Sequence, residues 1–392
     1  MARMRRIRRL LGITLLGALI VGVIAAGSGW AVLQVRRHQP RTLPAPTGAF
    51  AVGRTAFDWT DAARPALFSA NDRTGRELVV WLWYPAAPAP SAPTAPYLPP
   101  QWAKVRDAEY GAGAVLFQAS NAVRVHAIDD APVAPQRPQY PVLVLEPGMG
   151  RLPTDYTSLA EELASHGYVV AGITPTYSAN TVVFPDGRTI RSVRDAQIAS
   201  SADTDAGNRL VGVWGDDVTF TLDQLTTLSR DAASRFAGKL DLDHVGLLGH
   251  SFGGATALDV CQRERRCAAA VDLDGSPFGA VEQTGLGKPM MCILSEPPTE
   301  GDLALLRRIA AAAPQGNAYL LTITGTRHFN FADDAVMMSP LRLFGLLGPI
   351  NGTRGLQITR DYVRAFFDTF LLGSSSPLLR GASDLYPEVH SV

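Results

Sequence analysis

The sequence predicts an α/β fold, a mostly parallel central sheet with helices on both of its faces. Two observations carry that expectation. From Tyr140 onward, short apolar runs alternate with longer stretches of helical character, the pattern of consecutive strand–helix units. One run, 245–248, passes through Gly249-His250-Ser251-Phe252-Gly253-Gly254 straight into the helix-forming Ala255-Thr256-Ala257-Leu258. A strand and a helix therefore meet there at a very tight turn. With 392 residues, 46% of them hydrophobic, the chain can bury the core such a sheet needs. Its 36 basic and 36 acidic residues balance and form no basic stripe, which argues against a nucleic-acid partner.

The elements follow in order. Residues 1–9 hold Arg3, Arg5, Arg6, Arg8 and Arg9. Residues 10–35 carry no charge, and Arg36, Arg37 and His38 close the run. That exceeds the ~20 residues needed to cross a bilayer as a helix. The basic block is expected to stay cytoplasmic and send the rest of the chain outward. The segment 10–35 thus reads as a transmembrane signal-anchor. The alternative is a signal peptide cleaved near Ala25-Ala26-Gly27-Ser28-Gly29, which leaves a secreted protein. Residues 36–49, with Pro40, Pro44, Pro46 and Gly48, read as a linker to a single catalytic domain at 50–392.

A β-pair is predicted at 49–58 and 77–84, followed by a Pro/Ala loop at 85–100; residues 101–139 show no clear pattern. Strands are expected at 142–145, 168–173, 245–248, 268–273, 289–294 and 318–324. Helices are expected at 154–166, 209–229, 252–264, 302–313 and 355–371. The polar stretch 175–208 reads as a long excursion, and no internal repeat is present.

Strand, Gly-x-Ser-x-Gly and helix together form a nucleophile elbow, which specifies the α/β-hydrolase fold and makes Ser251 the candidate nucleophile. A serine hydroxyl is weak until a base takes its proton. This fold orders its triad Ser, acid, His, and only His328 and His390 follow Ser251. His328 lies just beyond the run 319–324, where loops leave the C-terminal strand edge. His390 lies in a C-terminal tail expected to fray. His250 adjoins the nucleophile and is expected to pack beside it; His166 and His244 read as surface turn residues. For the acid, Asp274, Glu296 and Asp272 all remain open. Asp274 is favoured because it precedes the Gly275 turn at a strand end. The oxyanion donors are expected to be the amides of Phe252, after the nucleophile, and Met149, in the Gly148-Met149-Gly150 turn. No His/Cys cluster of zinc type is present, so neither metal nor cofactor is expected.

Cys261 ends the helix after the nucleophile and Cys267 precedes the next strand, so the chain must turn between them. A disulfide is expected there, with two free thiols as the alternative, and Cys292 is expected to be a buried core thiol.

Four stretches, taken in order, resemble the platelet-activating-factor acetylhydrolases of the plasma, intracellular type II and bacterial kind. They are Gly249-His250-Ser251-Phe252-Gly253-Gly254-Ala255-Thr256, Ala164-Ser165-His166-Gly167-Tyr168-Val169-Val170, Leu273-Asp274-Gly275, and His328-Phe329-Asn330-Phe331-Ala332-Asp333. The resemblance runs from about Phe50 to Pro387, with Trp83-Tyr84-Pro85 near its start. It implies Ser251 as nucleophile, Asp274 as acid, His328 as base, and Met149 and Phe252 as oxyanion donors. It further implies hydrolysis of short or truncated acyl esters of phospholipids, including the acetyl group at sn-2. One departure is Glu146-Pro147-Gly148, where family members often have Ser-His-Gly or Ser-Pro-Gly; a carboxylate there is expected to add negative charge near the site. Tyr177 and Phe184, with Phe331, Met337 and Met338, are expected to wall the acyl pocket. The competing readings are a lipase or polyester hydrolase and, from another class, a catalytically silent membrane-anchored binding module.

Overall fold

The structure is a computed structural model, and it describes residues 2–69, 75–198 and 202–392. Among the described residues a ten-stranded sheet forms the centre. Its strands, in chain order, are β1 (Ala51–Asp61), β2 (Arg76–Ala86), β3 (Ile128–Asp129), β4 (Tyr140–Glu146), β5 (Val169–Thr174), β6 (Leu240–His250), β7 (Cys267–Leu273), β8 (Met290–Leu294), β9 (Ala318–Ile323) and β10 (Val389–Ser391). They lie in the order β10-β9-β8-β7-β6-β4-β5-β2-β1-β3. From β5 to β9 neighbouring strands are parallel, while β2 pairs antiparallel with both β5 and β1.

The parallel strands are mainly apolar where both of their faces are covered, as in Val142–Leu145, Val169–Ile173, Val245–Leu248 and Met290–Leu294. On one face lie α3 (Thr157–Ser165) and α7 (Gly352–Phe370), whose Leu159, Leu163, Tyr362 and Phe366 share a core with Leu143, Leu248 and Ile323. On the other lie α4 (Thr204–Arg230), α5 (Phe252–Arg263) and α6 (Glu300–Ala310), packed through Leu222, Leu258 and Leu306 against Val142, Leu247 and Met290. β1 alternates half-buried and exposed positions over its second half, as a strand with one wet face should.

Several elements differ in extent from the sequence expectation. Helix α4 begins at Thr204, earlier than 209, because the Asp203 side chain caps the Ala206 amide. The excursion at 175–208 holds a small hairpin, Thr181–Val183 against Thr189–Arg191, while its residues 199–201 lie outside the described residues. The patternless stretch 101–139 contains α2 (Pro100–Glu109), held by Trp102 edge-on to Trp81, and a 3-10 turn at Gly111–Leu116. The tail expected to fray instead forms β10, paired with β9.

At the N-terminus one helix, α1, runs from Ala2 to His38. Its segment Leu19–His38 is long and apolar enough to cross a membrane, and the 18-residue apolar window within it is not buried against the protein. Its far end docks: the Arg37 guanidinium lies 3.2 Å from Asp107, and Gln118 donates to the Arg37 carbonyl at 2.8 Å. The Pro-rich segment that follows is pinned down. Leu43 is buried, Arg360 donates to the carbonyls of Pro44 and Ala45, and the Thr47 amide donates to Glu162 at 2.9 Å. Cys261 and Cys267 form the expected disulfide, and Cys292 is a free, buried thiol. Such a short closed loop contributes about 2 kcal/mol by the chain-entropy argument.

This topology carries the loops after β4, β6, β7, β8 and β9 to one edge, the C-terminal ends of the parallel strands. That is where open α/β sheets bind ligands.

Candidate active site

Ser251 links β6 directly to α5 and sits at φ +56°, ψ −124°, a conformation disfavoured for any residue with a Cβ. The neighbours must be small for it to form. A Cβ on Gly249 would lie 2.2 Å from the Gly253 backbone, and one on Gly253 would lie 2.3 Å from the Glu146 carbonyl oxygen. The Ser251 amide donates to the Leu273 carbonyl at 2.8 Å, which ties the elbow to β7.

His328 opens the 3-10 turn His328–Phe331 beyond β9. Its Nε2 lies 3.0 Å from Ser251 Oγ and its Nδ1 lies 2.7 Å from Asp274 Oδ2. The turn is braced by Asn330, whose Oδ1 accepts from the Arg327 and Gly348 amides at 2.8 Å each. Asp274, just past β7, is itself at φ +56°. Its amide donates to the Ile293 carbonyl at 2.9 Å, and its Oδ1 accepts from the Ser295 amide at 2.7 Å. Burial pushes the Asp274 carboxyl up, but the hydrogen bond and charge of His328, with the Ser295 amide, outweigh it and hold the group below its ordinary value.

The other sequence candidates lie elsewhere. Asp272 is buried inside the elbow, accepts from the Gly275 amide at 2.9 Å, and is pushed well above the usual carboxylate range by that burial. Glu296 accepts from the Gly325 amide at 2.8 Å, bracing the turn after β9. His390 lies on β10 beside Thr324. His244 is exposed beside Asp241, whereas His166 is not free at the surface: its Nε2 lies 3.0 Å from Glu162.

Met149 lies in the turn after β4, closed by the Arg151 amide donating to the Gly148 carbonyl at 3.0 Å. Phe252 is the first residue of α5. Among the described residues neither the Met149 nor the Phe252 amide donates to another backbone group. The expectation about Glu146 is corrected. It is 1% exposed, neither carboxylate oxygen has a hydrogen-bond partner, and burial, reinforced by Asp217, pushes it well above the usual range. Glu146 is a buried strand-end carboxyl that disfavours its charged form, and it adds no surface charge to the site. Among the described residues no group of three or more His, Cys, Asp or Glu is arranged to hold a metal.

The sequence matches the family described as "Platelet-activating factor acetylhydrolase, isoform II" over residues 36–186 and 222–372, well over half of the chain. The chain belongs to the platelet-activating factor acetylhydrolase family. It is 28% identical over 386 residues to a probable 1-alkyl-2-acetylglycerophosphocholine esterase of Arthroderma benhamiae, covering 88% of this chain and 92% of that protein. It is 24% identical to the platelet-activating factor acetylhydrolase of Cavia porcellus over 59% of this chain and 58% of that one. The solved structure of a ferulic acid esterase from Streptomyces cinnamoneus aligns with a TM-score of 0.75 at 30% identity, over 90% of this chain and 99% of that one. The chain is accordingly a serine ester hydrolase of the acetylhydrolase type.

In this acetylhydrolase-family chain Ser251, Asp274 and His328 open into a cavity of about 440 Å³. Its apolar wall is Met149, Ile198, Phe252, Phe278, Leu294, Pro297 and Pro298. The wall expected from sequence is therefore corrected. Phe184, Phe331 and Met337 are core residues, Tyr177 lines neither this cavity nor its neighbour, and Met338 lines the adjoining cavity of about 320 Å³. The two cavities share Met149. Ile198, Phe278 and Leu294 went unrecognised in sequence because they come from three separate segments, each unremarkable by itself; the Pro297-Pro298 pair after a strand was the one local signal of a rigid rim.

Proposed function

We propose that the chain hydrolyses short-chain acyl esters through an acyl-enzyme, acting on phospholipids that carry an acetyl or truncated acyl group at sn-2. The observation carrying this reading is the double bridge of His328, 3.0 Å from Ser251 Oγ and 2.7 Å from Asp274 Oδ2. Ser251 Oγ attacks the ester carbonyl and His328 Nε2 takes its proton. Asp274 orients the imidazole and stabilises its cation. The Met149 and Phe252 amides hold the oxyanion, each donor worth ~3 kcal/mol in the transition state. The carbonyl re-forms, the alcohol leaves with the proton from His328, and a water activated by the same base releases the acid.

The cavity of about 440 Å³ bounds the acyl group. On p-nitrophenyl esters activity is expected to peak at about two to four acyl carbons and fall sharply by about ten, in keeping with the acetyl group that the name of the Arthroderma benhamiae relative carries. A maximum at long chains with activation at an oil–water interface would overturn this in favour of a lipase or polyester hydrolase. An aromatic acyl group is the second reading. It is favoured by the likeness to a ferulic acid esterase and by Phe252, Phe278 and the Pro297-Pro298 rim in the cavity. Methyl ferulate measured beside the series decides it, by a kcat/KM above that of the acetate. Covalent labelling of Ser251 by a fluorophosphonate separates all of these from a silent binding module.

Residues 10–35 serve, in this reading, as a transmembrane anchor that keeps the site beside lipid outside the cytoplasm; cleavage as a signal peptide gives a secreted form instead. Residues 40–392 alone are expected to be soluble and to keep kcat/KM on a soluble ester within about twofold, because their docked backbone stays intact. Residues 50–392 are expected to melt lower, having lost Leu43 and the Thr47–Glu162 and Arg360 contacts. Aggregation of 40–392, or equal melting of the two, counts against this boundary.

A further inference from the structure

Three loops must hold their positions together for the reaction above: the turn carrying Met149, the elbow carrying Ser251, and the turn carrying His328. A buried chain of hydrogen bonds joins all three. The Gly148 amide donates to Tyr156 Oη at 3.0 Å, Tyr156 Oη lies 2.8 Å from His250 Nδ1, and His250 Nε2 lies 2.9 Å from the His328 carbonyl oxygen. Tyr156 and His250 are each 1% exposed, so water cannot substitute for either.

The two ends fix the hydrogens at both termini of this chain. The Gly148 amide can only donate, so Tyr156 accepts from it and its own hydroxyl hydrogen is free to donate to His250 Nδ1. The His328 carbonyl can only accept, so Nε2 of His250 carries the other hydrogen. In its neutral form His250 is thereby held as the Nε2–H tautomer, with Nδ1 accepting from Tyr156. Burial and the neighbouring charge of His328 both push its pKa well down, which agrees with that assignment. Packing is equally tight: a Cβ on Gly148 would sit 3.1 Å from His250 Nδ1 and 3.4 Å from Ser251 Cβ, and the rings of His250 and His328 lie 4.6 Å apart.

We propose that Tyr156 and His250 are positioning residues that lock the oxyanion turn to the nucleophile elbow and the base turn. Neither touches substrate. Tyr156 holds the Pro147–Gly148 peptide, one unit before the peptide that carries the Met149 amide, and so aims that amide. His250 holds the backbone of His328 and so aims its ring at Ser251 Oγ. The proposal rests on the reading of Met149 and His328 given above. Wild-type turnover and fluorophosphonate labelling of Ser251 test that reading separately.

The test uses full-length protein in detergent, p-nitrophenyl acetate, and the variants Tyr156→Phe, His250→Leu and His250→Gln. Tyr156→Phe and His250→Leu are expected to lower kcat ~10–100-fold with KM within about twofold. That falls short of the ~10²–10³ for deleting an oxyanion donor outright, because the amide is displaced and not removed. His250→Gln is expected to recover most of the activity, since its amide accepts from Tyr156 and donates to the His328 carbonyl. The double variant Tyr156→Phe/His250→Leu is expected to be no worse than the poorer single, the mark of residues acting as one unit. Inhibition by a short trifluoromethyl ketone, whose hemiketal oxyanion mimics the intermediate, is expected to weaken in step with kcat/KM. Unchanged kcat in Tyr156→Phe and His250→Leu overturns the proposal. So does a loss matched by an equal fall in titratable Ser251 sites, or a His250→Gln variant no better than His250→Leu. If Tyr156→Phe does not fold, the Gln–Leu comparison at position 250 decides alone.

Discussion

Ser251→Ala and His328→Ala are each expected to lower kcat on a chromogenic acetate ester by at least about 10⁴-fold, with melting temperature and circular dichroism unchanged. The size follows from the chemistry: without the hydroxyl there is no acyl-enzyme, and without the imidazole the hydroxyl stays protonated during attack. Ser251 Oγ and His328 Nε2 are 3.0 Å apart, so the two act as one device. The double variant is therefore expected to be little worse than either single one. Neither substitution opens a large cavity, since the His328 side chain is 42% exposed. Activity within tenfold of wild type in folded Ser251→Ala would remove Ser251 from the mechanism.

Asp274→Asn is expected to cost about 10²–10⁴-fold in kcat, because an amide can present its NH₂ to Nδ1 and stabilise the wrong tautomer of His328. The contrast lies with Glu296→Gln, expected to stay within about tenfold of wild type because Glu296 braces the Gly325 turn and not the base. Asp272→Asn is expected to act chiefly on stability, as its carboxyl is buried against the Gly275 amide. Steady-state kinetics and thermal melts of the three variants decide between the carboxylates. An inactive Glu296→Gln beside an active Asp274→Asn would reassign the acid.

Much of the site was legible because its signals are short and linear. Gly249 to Gly254 spells a turn only small residues can make, and chain order leaves His328 as the natural base. The acid was less legible. Asp272 and Asp274 are two residues apart, and local pattern favours Asp274 without excluding Asp272 or Glu296. They separate only because β7 buries Asp272 inside the elbow while the φ +56° backbone of Asp274, past the strand end, turns its carboxyl to His328. Glu146 misled for the same kind of reason. Its neighbours in sequence form the oxyanion turn, yet its side chain lies in the interior, on a strand whose partner across the sheet at this position is Gly249.

The linker at 36–49 and the acyl wall show the same limit from the other side. Proline-rich composition reads as a spacer, but Pro44, Ala45 and Thr47 are held by Arg360 and Glu162, partners too distant in sequence for any local pattern to name. Phe331 and Met337 look like pocket residues and are core, while Ile198 and Phe278 meet Ser251 only through the folded loops. By itself the sequence determined the strand–helix alternation and the elbow, and pointed to His328 as the candidate base and to the Cys261–Cys267 disulfide, because periodicity, turn sterics and short-range spacing are local properties of a chain. Which carboxylate faces the base, which side chains bound the acyl group, and how Tyr156 and His250 join three loops were decided by tertiary structure alone, because direction and burial exist only once distant segments pack.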